Sequence, residues 1–328
     1  MSRGTAAERM VPPPLVAASR QRRLVSGDRL FRVIAYGAAG LIMLIAVLFV
    51  IALVVPALPA ITKFGLGFFT SRTWDPVRDQ FGALTPIYGT LVTSAIALLI
   101  AFPIGLGAAL FLAEDARLSL LRGPLSFLIE LLAGIPSVVI GLWAFFILTA
   151  LMRDKVDPFL NHILGFLPLF RGTPTGYGFL TAGLVLAIMV LPIMIALSRD
   201  VIRAVPRELR EASLALGATN AETIWSVILP YARVGITGAV LLSLGRALGE
   251  TIAVTMVIGN TMQISASLFA SGYTLPSVIA NEFTEATGNV YLGSLFYLGV
   301  VLVLITIAVN VLARLLIWRF SGSGRVAG

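Results

Sequence analysis

Residues 199–230 read RDVIRAVPRELREASLALGATNAETIWSVILP, and they carry their own helix punctuation between two long apolar runs. Pro206 suits the first position of a helix, and Glu208 suits its positive end. Leu209, Ala212 and Leu216 recur at helical spacing and give a narrow apolar stripe. Gly217 suits a C-terminal cap. Thr219 with Glu222 has the form of a capping box that opens a second helix. Pro230 is expected to close that helix before the next apolar run. Two short helices meeting at a glycine make a compact knob over 206–230. Its physics alone weighs evenly two readings: an amphipathic connector on the membrane surface, or a docking surface for another protein.

Outward from this knob, six segments are long and apolar enough to span a bilayer: 32–55, 87–113, 126–151, 177–198, 234–259 and 294–318. Each reaches the roughly 20 residues that a helix needs to cross about 30 Å of hydrocarbon. Backbone groups in lipid must be satisfied internally, so the fold class is all-α, a polytopic membrane protein of six transmembrane helices. Of the 24 Lys and Arg residues, 17 fall in the N-terminal flank up to Arg32, the loops 114–124 and 199–233, and the C-terminal end from Arg314. Six fall in the other three loops, and Arg246 lies inside a span. That excess places both termini in the cytoplasm. Residues 1–28 read as a basic, disordered tail without the short apolar region and cleavage site of a signal peptide. Residues 29–320 form the six-helix domain, and 321–328 form a second cytoplasmic tail.

Composition agrees and excludes other classes. The 328 residues are 58% hydrophobic and 12% charged, with a mean hydropathy of +0.96. Soluble domains carry about twice that charge, so lipid is the solvent for much of the surface. With no cysteine and a single histidine, His162, thiolate and His-rich metal sites are excluded and no metal site is expected. The net charge of +8 is dispersed between apolar runs rather than gathered in a block, which points to membrane orientation and not to nucleic acid. No G-x-x-x-x-G-K-[ST] loop is present; Lys63 and Lys155 are the only lysines, and neither precedes Ser or Thr. No nucleotide chemistry is therefore expected of these residues. Trp and Tyr of the outward loops read as interface anchors.

The fifth span carries the most costly residues. Arg246 lies roughly 16 Å along it if the span starts near 235. Intramembrane Arg or Asp costs about 2.5–3.5 kcal/mol on insertion scales, so such residues face protein or water. Glu250 is four residues on, on the same helical face. Base-before-acid is the poorer order for a local pair, which favours function over self-neutralisation. The planar guanidinium suits an oxyanion, and Glu250 either orients Arg246 or accepts from a protonated phosphate hydroxyl. Gly245 and Gly249 form a small-x-x-x-small motif that reads as close helix packing. Glu130, near the start of the third span, is open between structure and function. Pro103, Pro136 and Pro192 are candidate kinks. For Asn281 and Glu282, an ordinary solvated loop outweighs contact with a partner.

Glu211-Ala212-Ser213, then Gly217, then Val227-Ile228-Leu229-Pro230 resembles the EAA loop of ABC importer permeases, with Ser213 and Val227 as mild departures. Residues 245–251, GRALGET, resemble the permeases of phosphate importers, as do 81–91, FGALTPIYGTL, and 134–143, GIPSVVIGLW. The later PSVIANEF of 276–283 favours the PstC type over its PstA-type partner. The resemblance covers nearly everything beyond the basic tail. It implies a type I importer permease architecture in the bacterial inner membrane, with Glu211, Ala212 and Gly217 in a coupling loop that fills a groove in an ATPase. It implies transport roles for Arg246 and Glu250. The implied partners are a PstA-type permease, a PstB-type ATPase dimer that binds ATP and Mg, a PstS-type phosphate-binding protein, inorganic phosphate and membrane lipid. No cofactor is implied on this chain. The rival readings are a permease for another oxyanion such as sulfate or molybdate, a secondary transporter or channel working without an ATPase, and an intramembrane enzyme.

Overall fold

The computed structural model describes residues 15–114 and 119–321. The main helices are α1 (Leu15–Phe64), α2 (Leu84–Glu114), α3 (Ser119–Gly134), α4 (Ser137–Leu164) and α5 (Phe179–Arg203). There follow α6 (Arg207–Ala215), α7 (Asn220–Gly249), α8 (Ile252–Val257), α9 (Leu275–Glu282) and α10 (Asn289–Ser321). A two-residue pair, β1 (Trp74–Asp75) and β2 (Gln80–Phe81), forms a small antiparallel hairpin. Asp75 Oδ1 accepts from the amides of Val77 and Arg78 at 3.0 and 3.1 Å and shapes its turn. Among the described residues, six helical segments are long and apolar enough to cross a membrane. The chain divides into two compact units, Met1–Ala52 and Leu53–Gly328. The first contributes the N-terminal part of α1.

Several sequence expectations change. The tail expected over 1–28 is helical in backbone from Leu15, and residues 1–14 lie outside the described residues, as do 322–328 of the expected C-terminal tail. The third span is not 126–151. Pro136 adopts φ −58°, ψ 138° and starts a new helix at Ser137. A proline lacks the N–H needed to continue a helix, so α3 ends at Gly134 and the spanning segment is Ser137–Leu164. Glu130 thereby belongs to the separate α3, where it is exposed. Pro103 and Pro192, by contrast, are held inside α2 and α5.

The fifth span also differs at both ends. Pro230 does not close a helix. A π-helical turn over Ile224–Ile228 lies ahead of it, with the Leu229 amide donating to Ile224 O. Widening the turn by one residue accommodates a missing donor, so α7 runs unbroken from the knob into the span. At its far end α7 stops at Gly249, and Glu250 is extended at φ −70°, ψ 128°. Pro206 stands one residue ahead of α6, at its N-cap.

The core of the second unit is the α2–α5 pair. Gly89, Thr93, Ala97, Ala101, Gly105 and Ala109 recur every four residues on the buried face of α2. Small residues at that spacing let helices approach closely where lipid supplies no hydrophobic drive. A Cβ on Gly183 would sit 2.4 Å from Ile96 Cγ2, and one on Gly105 would sit 2.6 Å from Met194 Cγ. A second cluster gathers Phe68, Phe81, Tyr273, Leu275, Tyr291 and Tyr297. Trp74 packs edge-on against Phe81 at 4.9 Å. Trp74 and Tyr273 are thus core residues rather than interface anchors, and burial pushes the Tyr273 hydroxyl above its ordinary pKa. Asn281 and Glu282 do not form a solvated loop either. Asn281 donates to Tyr273 Oη at 2.9 Å, and Glu282 accepts from Tyr291.

Candidate translocation face and coupling knob

Arg246 occupies the last turn of α7. A cation there meets the negative end of the helix dipole, worth about 0.3–1 kcal/mol. Glu250 stands just beyond the helix, before α8 begins at Ile252. The two residues therefore flank a break rather than share one helical face, which corrects the sequence expectation. Among the described residues, neither side chain has a hydrogen-bond or ion-pair partner. Arg246 is exposed and Glu250 half-buried.

Depth makes that exposure informative. Arg246 is thirteen residues beyond Arg233 in sequence, roughly 20 Å along the axis. Irregular backbone at membrane depth is tolerated only against protein or water. A bare guanidinium, a half-buried carboxylate and a helix break therefore exclude lipid from this face. The same side of α7 exposes Leu242 and Gly249. A Cβ on Gly238, Gly245 or Gly249 would meet nothing within 4 Å. The packing expected at Gly245 and Gly249 thus has no counterpart among the described residues, and the face stands open for another surface.

The rest of α7 is occupied differently. Ala232, Ile236, Ala239 and Ser243 are buried, and Gly235 lies against Val201 of α5. An apolar groove of about 750 Å³ separates α7 from α2, lined by Leu98, Leu99, Phe102, Ile236 and Val240 with Arg233. Its apolar walls offer little to an anion, and neither Arg246 nor Glu250 lines it.

The knob's glycine cap and capping box fold as the punctuation implies. Gly217 has φ +90°, its amide donates to Leu214 O, and the Ala218 amide donates to Ser213 O. This is a Schellman cap, which favours glycine at the left-handed position. The Thr219–Glu222 capping box is complete in both directions. No residue of α6 is buried; Glu211, Ala212 and Gly217 are all exposed, and Leu216 and Trp225 are 89% and 73% exposed.

Sequence reading alone does not pick out what holds the knob in place. Arg210 Nη1 pairs with Glu114 Oε1 at 2.5 Å, and its Nη2 donates to Ile202 O at 2.6 Å. Arg203 Nη2 donates to Leu112 O at 3.1 Å. Ser213 and Thr223 hydroxyls meet at 2.9 Å and join α6 to the start of α7. The available signal was Glu114 itself, since an acid at a helix C-terminus opposes the dipole unless a base answers it. Together these contacts tie the knob, with its exposed Leu216 and Trp225, to the ends of α2 and α5.

The family model for the binding-protein-dependent transport system inner membrane component matches residues 101–322. The chain is 44% identical over 313 residues to the phosphate transport system permease protein PstC of Mesorhizobium japonicum, covering 93% of this chain and 95% of that one. It is 46% identical over 282 residues to the protein of the same name from Haemophilus influenzae, covering 85% and 88%. Among solved structures, a bacterial alginate ABC transporter in complex with an alginate pentasaccharide-bound periplasmic protein matches with a TM-score of 0.55 and 14% identity. It covers 91% of this chain and 95% of that one, a likeness of fold alone. The matched model spans about two thirds of the sequence, and the chain belongs to the binding-protein-dependent transport system inner membrane component family.

Proposed function

We propose that this chain is the PstC-type permease of an ATP-driven phosphate importer in the bacterial inner membrane. The single observation that carries the reading is Arg246 at membrane depth, unpartnered among the described residues, beside a helix break and on a face that no described helix covers. The relatives at 44% and 46% identity are named for phosphate transport, which supports the cargo. A second, PstA-type permease closes the open face of α7, and the anion passes between the two chains. Both termini lie in the cytoplasm, as the Lys and Arg distribution requires.

The chemistry of each residue follows. Arg246 offers a planar pair of donors to the anion at a point where water is scarce. Glu250 accepts from a protonated phosphate hydroxyl and repels an anion that has no proton to give. Fully ionised sulfate is disfavoured on that ground. Binding at Arg246 stays modest, since a station that holds too tightly cannot release. On the cytoplasmic side a PstB-type ATPase dimer, which binds ATP and Mg, receives the knob of 206–230 with Glu211, Ala212 and Gly217. A PstS-type binding protein delivers phosphate to the outer loops. Closure of the ATPases moves the knob, and its ties to Glu114 and Ile202 carry that motion to α2 and α5.

Competition uptake in proteoliposomes tests the selectivity. Glu250→Gln is expected to lower phosphate uptake and to narrow the preference over sulfate by about tenfold, one charge-assisted hydrogen bond's worth. Unchanged uptake and unchanged preference would remove Glu250 from the path.

A further inference from the structure

The loops 165–178 and 258–274 enclose a polar pocket of about 300 Å³, lined by Arg171, Thr173, Gln263, Ser265, Ser267 and Ser271 among others. No carboxylate lines it. The walls are fixed by backbone bonds from the second loop to the first and to the start of α5: Leu268 N to Leu169 O at 2.8 Å, Leu180 N to Leu268 O at 2.8 Å, and Phe179 N to Ala270 O at 3.2 Å. Gly178, at φ +153°, lets them meet, since a Cβ there would fall 2.6 Å from Ala270 O. Tyr88 Oη donates to Ser265 O at 2.6 Å and ties the pocket to α2.

Several donors in its lining lack a protein partner among the described residues. Arg171 uses Nε on Gly165 O at 2.8 Å and Nη2 on Phe166 O at 3.0 Å. Those bonds hold the guanidinium in place and leave Nη1 without a protein partner among the described residues. The Ser265 and Ser267 hydroxyl oxygens accept from the amides of Ser267 and Phe269, so each O–H remains free to donate. The hydroxyls of Thr173 and Ser271 have no partner among the described residues. A fixed cation with several free O–H donors and no carboxylate suits a tetrahedral oxyanion.

We propose that this pocket is an outer phosphate station, occupied by the anion before it reaches Arg246. The assignment of phosphate rests on the function proposed above. The station is open and polar, so its affinity is low and exchange is fast.

The absence of cysteine in the sequence makes the test direct. Thr173→Cys is introduced into the reconstituted transport complex and labelled with an anionic methanethiosulfonate reagent, with phosphate or with chloride at matched ionic strength. Phosphate is expected to slow labelling in a saturable manner while chloride does not. Ser271→Ala in that background is expected to raise the half-protecting phosphate concentration about tenfold, one hydrogen bond to a charged group. Val77→Cys, on the exposed hairpin turn, is expected to show no protection. Absent protection at Thr173→Cys, or equal protection at Val77→Cys, would overturn the station. Phosphate uptake by the wild-type complex is measured in parallel: its loss overturns the functional reading, whereas intact uptake without protection overturns only the station.

Discussion

A few single atoms decide whether the fold closes. Thr90 Oγ1 accepts from the Leu275 amide at 2.9 Å, a buried contact across 185 residues of sequence. Thr90→Val keeps the shape and strands that N–H, at a cost of about 1–3 kcal/mol. A lowered midpoint in thermal unfolding of the detergent-purified protein checks this, and an unchanged midpoint would count against it. Gly89 is less forgiving, because a Cβ there would lie 2.0 Å from Tyr273 O, a backbone atom. Gly89→Ala is expected to destabilise by about 1–3 kcal/mol or more, seen as reduced yield and earlier unfolding. Neither role is visible in sequence, since the partners are 185 and 184 positions away. Arg246 was legible at this scale, because an arginine at membrane depth stands out against its apolar neighbours. The state of Glu250 was not: four-residue spacing implies a shared face only if the helix continues, and here it ends at Gly249.

At the scale of elements, local chemistry was read well and continuity poorly. The caps at Gly217 and Thr219 follow from short-range bonds, and both are present. The proline expectations divided. Pro136 ends a helix, Pro103 and Pro192 do not, and Pro230 is carried past by a π-helical turn. What separates them is whether surrounding structure re-satisfies the freed carbonyl, which no local pattern records. The knob itself invites two tests. Gly217→Val forces a branched side chain to φ +90°, costing about 1–3 kcal/mol of backbone strain. It is expected to uncouple ATP hydrolysis from uptake while the spans remain folded. Arg210→Met removes the pair with Glu114 and the bond to Ile202 O. ATPase subunits are then expected to co-purify with the complex while uptake per ATP falls, since the knob docks but no longer moves α2 and α5. Unaltered coupling in both variants would show that force is transmitted elsewhere.

For the whole molecule, the chain presents, among the described residues, one surface where an unpartnered charge meets a helix break and a second with exposed large apolar side chains. The first is the α7 face around Arg246, Gly245 and Gly249; the second is the knob with Leu216 and Trp225. In the function proposed above, the first belongs to a path shared with a second permease and the second to a lever at the other end of the same helix. The helix α7 runs from Asn220 to Gly249, with the π-helical turn at Ile224–Ile228 lying between its start in the knob and the helix break. The most direct measurement is ATP-dependent uptake of radiolabelled phosphate into proteoliposomes holding both permeases and the ATPase, with binding protein supplied outside, for wild type and Arg246→Ala. We expect uptake by the wild type that requires ATP and the binding protein. In Arg246→Ala we expect uptake to fall about 100-fold, as for loss of a buried charged partner, while the complex still assembles. Undiminished coupled uptake in Arg246→Ala, or phosphate flux through this chain without ATP, would contradict the account.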